Sequence, residues 1–472
     1  MPNIISLRPA KCAVDLGDGS ERGEYVSQDY ILSRLGRPHR AINLMYCYYP
    51  LDKGWPGRAS VVHAHADASF AWDYPYDDYF PFHGEEVFEQ MRDIRRHGQD
   101  VILTLTVDPN VTDEHIVSVV ERLKSFGRMQ LRINHEATGT WFQFNRRCGY
   151  QQVADFYVRF HKIVKEIAPH ILTILCIGGI EKRGETRVVK EDEFAEAVKI
   201  TDVWSVDKYL SLNFKYPYEI AEPDNFGHYI DSLDGVYALT KASFKRFKHL
   251  NGGVTKPMVM SELNCDGDVS GPYWQAARVK EFTDLIKNDP EQGWFSGFTF
   301  YQFRDRGRLG LEIQDPNNAE VGWAQPIFDV YREIISDPYF SPLIDEGAET
   351  AFPAKLRWGG SEDADGVSLP LEFEGNPVFC EVYFDDGDID LNLMLELNGR
   401  WFYKSPGVKA VDLIYAFFDK PLTEPTPLRL NIFAPPASGE NRVHAINHFE
   451  TMQAEPTVRI RYRPSEEKNF RN

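Results

Sequence analysis

RMQLRINHE (128–136), followed by GYQQVADFYVRFHKIVKEIAP (149–169), is the stretch on which the reading of this chain turns. The first segment has strand length and ends in a glutamate. The second is strongly amphipathic at helical spacing. The same alternation continues in both directions. Upstream lie AKCAVDL (10–16) with SQDYILSRLG (27–36), RAINLMYCY (40–48) with EEVFEQMRDIRRHG (85–98), and DVILTLTV (100–107) with TDEHIVSVVERLKSFG (112–127). In the last of these, Thr112 and His115 bracket the predicted N-terminal turn. Downstream lie ILTILCIGGI (171–180) with EDEFAEAVKI (191–200), DVWSVDKY (202–209) with DGVYALTKASFKRFKHL (234–250), KPMVMSEL (256–263) with YWQAARVKEFTDLIKN (273–288), and GFTFYQF (297–303) with PIFDVYREIIS (326–336). Eight βα units imply a parallel sheet, and eight close a barrel. The alternative is an open doubly wound sheet, but no GxGxxG or P-loop follows the first strand.

The predicted fold class is therefore α/β, a (β/α)8 TIM barrel over residues 1–345. Beyond about 345 helical periodicity stops. GVSLPLEFEG, VFCEVYFDD, LNLMLELNGRWFY, AVDLIYAFFD, LRLNIFAP and TVRIRYRP read as short strands broken by Gly, Pro, Asn and Asp. They predict a smaller C-terminal all-β sandwich over 350–472, joined by a linker near 341–355.

Composition narrows the function classes. A net charge of −19 speaks against nucleic acid, whose phosphates call for excess Lys and Arg, and suits a neutral glycan better than an acidic one. Aromatic content is 13%, with 23 Tyr, 31 Phe and 9 Trp, and flat rings are what a sugar cleft stacks against pyranose faces; most of them nevertheless fill cores. The six cysteines are scattered without a CxxC pair, as expected of unpaired thiols. The start, MPNIISLRPAKCAVDLGDGS, lacks the charged-then-apolar pattern of a signal peptide, which leaves a cytoplasmic chain or a secreted one with its signal removed. No run approaches the roughly 20 apolar residues of a membrane span.

In such a barrel the active site lies at the C-terminal ends of the strands. Strand four ends in Glu136 and strand seven in Glu262, nearly across the mouth from one another. A glutamate past a strand is often a solvated loop residue or a helix cap; two in register on these strands are harder to dismiss. Retaining glycoside hydrolysis needs two carboxyl groups about 5–5.5 Å apart. One attacks the anomeric carbon while the other protonates the leaving oxygen.

Arg132-Ile-Asn-His135-Glu136-Ala-Thr-Gly-Thr-Trp141-Phe142 resembles the strand-four signature of glycoside hydrolase family 26, the clan A family that contains β-mannanases. Lys256-Pro-Met-Val-Met-Ser261-Glu262 is similar to its strand-seven segment, and Val206-Asp207-Lys-Tyr209 to its Asp-x-Tyr. The resemblance implies that Glu136 is the acid/base, Glu262 the nucleophile and Tyr209 the group that holds it. It also implies that His135 supports the site and Trp141 contacts sugar. The chain departs from that pattern at Gln143-Phe144-Asn145, at strand eight, where Tyr301 or Phe303 stands in for a Trp platform, and at Val107-Asp108-Pro109. Burial beside aromatic rings is expected to keep Glu136 protonated, and a nearby cation such as Arg132, with Tyr209, to keep Glu262 ionised.

The loop SFAWDYPYDDYFPFH (69–83) is a second candidate sugar wall, with Trp72 and Tyr76 foremost, and SLNFKYPYEIAEPDNFGHY (211–229) is similar in kind. His63-Ala-His65-Ala-Asp67 has the HxH spacing that opens amidohydrolase-type metal sites. Strands five and six lack the further histidines such a site needs, so His63 and His65 are expected to serve in loop hydrogen bonding or to contact sugar hydroxyls, and no metal is expected. Trp358, Trp401 and Tyr403 either form a carbohydrate-binding face or seal the sandwich. Cys265 is read as structural.

The expected function is that of a retaining β-glycoside hydrolase acting on a β-linked polysaccharide or oligosaccharide, first β-mannan, without cofactor. Its expected partner is carbohydrate, with neither nucleic acid nor membrane; oligomeric state is left open. The alternatives are a metal-dependent amidohydrolase-type barrel and a non-catalytic glycan-binding protein.

Overall fold

The computed structural model describes residues 5–8, 12–18, 25–57, 80–177, 193–212, 222–340, 343–344, 350–351, 366–433 and 457–462, apart from short stretches within them that include 140–142, 374–376 and 385–392. All eight strand–helix units are present. Strands β1 (Ala13–Gly17), β2 (Ala41–Tyr48), β3 (Asp100–Val107), β4 (Met129–Ile133), β5 (Ile171–Cys176), β6 (Val203–Val206), β7 (Met258–Leu263) and β8 (Gly297–Phe300) pair in parallel in chain order. Strand β8 pairs back onto β1, which closes the barrel. Each strand is followed by its helix: α1 (Gln28–Leu35), α2 (Glu86–Arg96), α3 (Asp113–Lys124), α4 (Tyr150–Ile167), α5 (Ala195–Ile200), α6 (Leu233–Leu250), α7 (Pro272–Asn288) and α8 (Ile327–Ser336).

Local chemistry marks the helix ends. Ser27 Oγ accepts from Tyr30 N at 3.4 Å to cap α1, which stops at Gly36 with φ 79°. Before α3, Thr112 Oγ1 and His115 Nδ1 lie 3.0 Å apart, across the turn read from the sequence. The outward side chains of the strands and the inner faces of the helices form one large apolar core.

The barrel interior is separate and graded. A small apolar plug of Ala41, Ile102, Ile174, Val203 and Val259 fills one level. Two residues further along each of those strands stand Asn43, Thr104, Cys176, Ser205 and Ser261, all buried. Because side chains alternate faces along a strand, this step of two keeps the same inward face and moves one layer toward the C-terminal mouth. The chain thus turns polar as it nears the mouth. Thr104 Oγ1 donates to Asn43 Oδ1 at 2.8 Å, and the Ser205 and Ser261 hydroxyls lie 2.5 Å apart, so these buried groups satisfy one another.

The C-terminal region consists of two sheets over a common core, as a β-sandwich requires. One has four antiparallel strands in the order Gly366–Phe373, Thr426–Phe433, Leu393–Leu397, Arg400–Lys404. The other contains Pro377–Tyr383, Thr457–Tyr462, Ala410–Asp412 and three further strands, at Leu343–Ile344, Thr350–Ala351 and, from the other end of the chain, Ile5–Arg8, which pairs in parallel with Thr457–Tyr462. Leu371, Leu395 and Ile432 from one sheet meet Cys380 and Val382 from the other. LNLMLELNGRWFY, read as one run, is a hairpin that turns at Asn398 (φ 54°) and Gly399 (φ 80°), the two positive φ values that a tight I′ turn demands. AVDLIYAFFD stops being a strand at Asp412 and continues as a 3-10 turn over Ile414–Phe417. Among the described residues no helix is long and apolar enough to cross a membrane.

Trp204 on β6 has no exposed surface, packs on Phe244 and Phe247 of α6, and donates Nε1–H to Val198 O at 2.9 Å. Trp204→Ala is expected to cost about 3–5 kcal/mol, read by urea unfolding. A loss under about 1 kcal/mol would contradict this packing.

Candidate active site

Strand β4 ends at Ile133, and the chain then turns through two non-glycine residues with left-handed backbone, Asn134 (φ 54°) and Glu136 (φ 41°). Such placements cost of order 1–3 kcal/mol each and persist only when the surroundings over-determine them. They do here. Asn134 N donates to Leu105 O at 3.0 Å, and its Oδ1 accepts from Val107 N at 2.7 Å. Ala137 N donates to Cys176 O at 2.8 Å. The turn is bolted to β3 on one side and β5 on the other, and this holds half-buried Glu136 at the barrel mouth.

Glu262 arrives differently. On β7, Val259 and Ser261 face inward while Met260 packs in the outer core, so strict alternation would send Glu262 outward. The pairing with β8 slips at this point: Phe298 faces Met260, but Phe300 faces Leu263. Ser261 and Glu262 together oppose Thr299, a β-bulge of one extra residue. The bulge turns Glu262 to the inner side, beside Ser261. One nitrogen or oxygen from each of His135, Glu136, Asp207 and Glu262 lies within 4.8 Å of the others. The two glutamates thus meet at one site, from β4 and β7.

Buried Glu262 is surrounded by donors. Arg132 Nη2 lies 2.7 Å from Oε1, His135 Nε2 lies 2.6 Å from the same oxygen, and Tyr209 donates its hydroxyl to Oε2 at 2.7 Å. Its backbone N–H donates to Asp207 Oδ1 at 2.9 Å, while Arg132 Nη1 reaches Asp207 Oδ2 at 3.0 Å and Arg132 Nε donates to Thr104 Oγ1 at 2.9 Å. Burial alone would push the Glu262 carboxyl up. The positive charges of His135 and Arg132, with the hydrogen bonds from His135 and Tyr209, outweigh it and hold Glu262 well below the usual carboxylate range. Asp207 is pushed the other way, up to about 7, first by burial and then by the negative charge of Glu262, with Arg132 opposing. The four-group cluster has the donor chemistry of a divalent-cation site, but Arg132 already supplies positive charge to two of its members.

Of the residues singled out in the sequence, Arg132, His135, Glu136, Tyr209 and Glu262 converge here. Tyr301 is nearby and almost buried, edge-on to Tyr209 with ring centroids 5.8 Å apart. One expectation needs correction. Phe303 has no exposed surface and packs on Tyr30 and Phe328, so it belongs to the core behind β8 and cannot face a sugar. Arg132 is equally inaccessible, its guanidinium taken up by Thr104, Asp207 and Glu262. Trp141, Trp72, Tyr76, His63 and His65 lie outside the described residues. The sequence patterns assign no role to Asp207, Asn134 or Thr104, all of which hold this site together. The signal available for Asp207 was its place at the end of the strand next to β7. Asp108 likewise has a partner at the rim: Arg147 Nη1 lies 2.7 Å from Asp108 and Nη2 2.8 Å from Asp52, joining three βα loops.

No family model and no curated protein matches the sequence. Similar solved structures include a glucosidase from Croceicoccus marinus (10% identity, 92% of this chain and 99% of that one, TM-score 0.44). Another is the family 51 α-L-arabinofuranosidase AbfB from Bifidobacterium longum (9% identity, 92% and 100%, TM-score 0.45). A third is the catalytic domain of a GH26 endo-β-1,4-mannanase from Bacillus sp. JAMB-750 (13% identity, 70% and 87%, TM-score 0.43). At this level of similarity these likenesses decide neither family nor substrate.

Arg132→Met leaves two buried carboxylates without their counter-charge, for an expected loss of about 3–5 kcal/mol in urea unfolding. Arg132→Lys is expected to rescue little, since an ammonium cannot fork to both carboxylates and Thr104. The raised Asp207 has a testable sign. Its folded state holds the proton more tightly than the unfolded chain, so its contribution is lost as pH rises from about 4 toward about 7. The stability of the wild type minus that of Asp207→Asn should therefore fall across that window; a flat or rising difference contradicts the assignment.

Proposed function

We propose that this protein is a retaining β-glycoside hydrolase in which Glu262 is the nucleophile and Glu136 the acid/base. The observation that carries the reading is the close pairing of two glutamates in unequal settings. Glu262 is buried, bonded to Arg132, His135 and Tyr209, and held ionised; Glu136 stands half-exposed at the mouth. Two titratable groups whose surroundings differ in this way can divide the nucleophilic and acid roles.

In the first step a Glu262 oxygen attacks the anomeric carbon, the glycosidic C–O bond breaks, and Glu136 gives its proton to the departing oxygen. In the second, Glu136 takes a proton from water as that water attacks the glycosyl–Glu262 ester. The carboxylate is released and the anomeric configuration is retained. Neither step calls for a cofactor. Tyr209, bonded to Oε2, supports the roles implied by the family 26 resemblance, and β-mannan is the first substrate by that resemblance, ahead of β-linked glucan or xylan. A metal-dependent amidohydrolase built on His63 and His65 is favoured less, because ILTILCIGGI and DVWSVDKY, strands five and six, supply no further histidine ligand.

A panel of aryl β-glycosides and β-linked polysaccharides tests the proposal. Glu262→Ala should abolish turnover, and azide should restore part of it as an α-glycosyl azide, identified by NMR. Glu136→Ala should lower kcat about 10²–10⁴-fold on poor leaving groups and less on good ones. Undiminished turnover by Glu262→Ala sinks the assignment. His135→Ala removes a positive neighbour of Glu262, so its carboxyl should titrate higher and the acidic limb of kcat/KM should move to higher pH.

A further inference from the structure

The outer face of the four-stranded sheet carries groups that the barrel chemistry does not use. On Arg400–Lys404, the edge strand among the described residues, Trp401 is 59% and Tyr403 53% exposed, while Lys404 and the facing Leu393, Leu395 and Leu397 are buried. Residues two apart on a strand share a face and lie roughly 6.6 Å apart along it. The two rings therefore stand side by side on one surface. Neither belongs to the core formed by the described residues of the sandwich.

A polar row runs from the indole across the sheet. Trp401 faces Glu396, Glu396 faces Asn431, and Asn431 faces Ser368. Arg429 Nε donates to Ser368 Oγ at 2.6 Å, Ser368 Oγ donates to Asn431 Oδ1 at 2.6 Å, and Asn431 Nδ2 donates to Glu396 Oε2 at 2.6 Å. Glu396 Oε1 also accepts from Gly399 N at 2.7 Å. Each side chain is thus held in place by its neighbour. The arginine and the glutamate at the ends balance, so the row as a whole is neutral. Helix α2 of the barrel lies near Pro377–Tyr383 of the other sheet, so contact with the barrel is made away from this face.

We propose that this face binds a neutral glycan chain lying along Arg400–Lys404, at a site separate from the barrel mouth. A pyranose presents an apolar C–H face and a rim of hydroxyls. It therefore needs flat rings beside fixed donors and acceptors, and the two rings beside this internally neutralised row offer both. A protein partner fits less well: two aromatic side chains offer at most about 150–250 Å² each, short of the roughly 800 Å² per partner of a stable protein interface. Large exposed rings on an edge strand are otherwise a liability, since edges are normally blunted by charge.

The site does not depend on the hydrolase reading, and the test separates the two. Full-length Glu262→Ala protein, which should leave the polysaccharides undigested, is incubated with insoluble cellulose, β-mannan, xylan and β-1,3-glucan, and run through gels containing soluble β-mannan and xylan. At least one glycan should retain it. Adding Trp401→Ala should weaken retention about tenfold or more, the scale of losing a central aromatic anchor, with Trp401→Phe between the two. In the Glu262-intact background, Trp401→Ala should leave turnover of a short aryl glycoside unchanged. Retention undiminished in the Trp401→Ala/Tyr403→Ala variant overturns the proposal, as does failure of every glycan to retain the protein. So does concentration-dependent self-association, seen by sedimentation, that the double variant abolishes, because the face would then join two copies of the chain. Trp401-dependent retention by a protein inactive on every glycoside would leave this site standing and remove the barrel assignment.

Discussion

Everything at the barrel mouth depends on one buried guanidinium. Arg132 has no exposed surface and is held by Asp207, Glu262 and Thr104. Two carboxylates in a low-dielectric interior would repel each other and take up protons; a planar cation between them lets one stay charged. The asymmetry follows from the count of donors. Glu262 has Arg132, His135 and Tyr209, whereas Asp207 has Arg132 and the Glu262 amide but also faces the Glu262 charge, so their proton affinities move apart.

The frame around that guanidinium is graded to receive it. An apolar plug closes the barrel below, hydroxyl and amide groups form the next level, and Arg132, Asp207 and Glu262 gather their charges toward the mouth. Strain is concentrated at the same level: Asn134 and Glu136 adopt left-handed backbone, and β7 carries its bulge, each secured by neighbouring strands. These departures from regular geometry are what aim the two glutamates.

The two domains divide the aromatic residues according to their surroundings. In the barrel many described rings are interior: Trp204, Phe303 and Tyr331 have no exposed surface, and Tyr301 packs edge-on with Tyr209. On the sandwich, Trp401 and Tyr403 lie on the outer side of a strand whose alternate residues, Phe402 and Lys404, turn inward. The parity of a position, more than the identity of the residue, separates a buried ring from an exposed one.

Much of this was legible in the linear chain. Eight strand–helix alternations, the all-β texture after about 345 and the glutamates ending strands four and seven are local patterns, because hydrophobic period and chain length are properties of short segments. Other features were decided only by tertiary contacts. Alternation along β7 points Glu262 outward, and only the register with β8 reveals the extra residue that turns it inward. Phe303 reads as a ring at a strand end until Tyr30 and Phe328 close over it. Ile5–Arg8 finds its partner more than 440 positions away, at Arg461 and Tyr462, a pairing that no local pattern encodes. Composition and periodicity set which elements form; register, which depends on residues distant in the chain, sets where their side chains point.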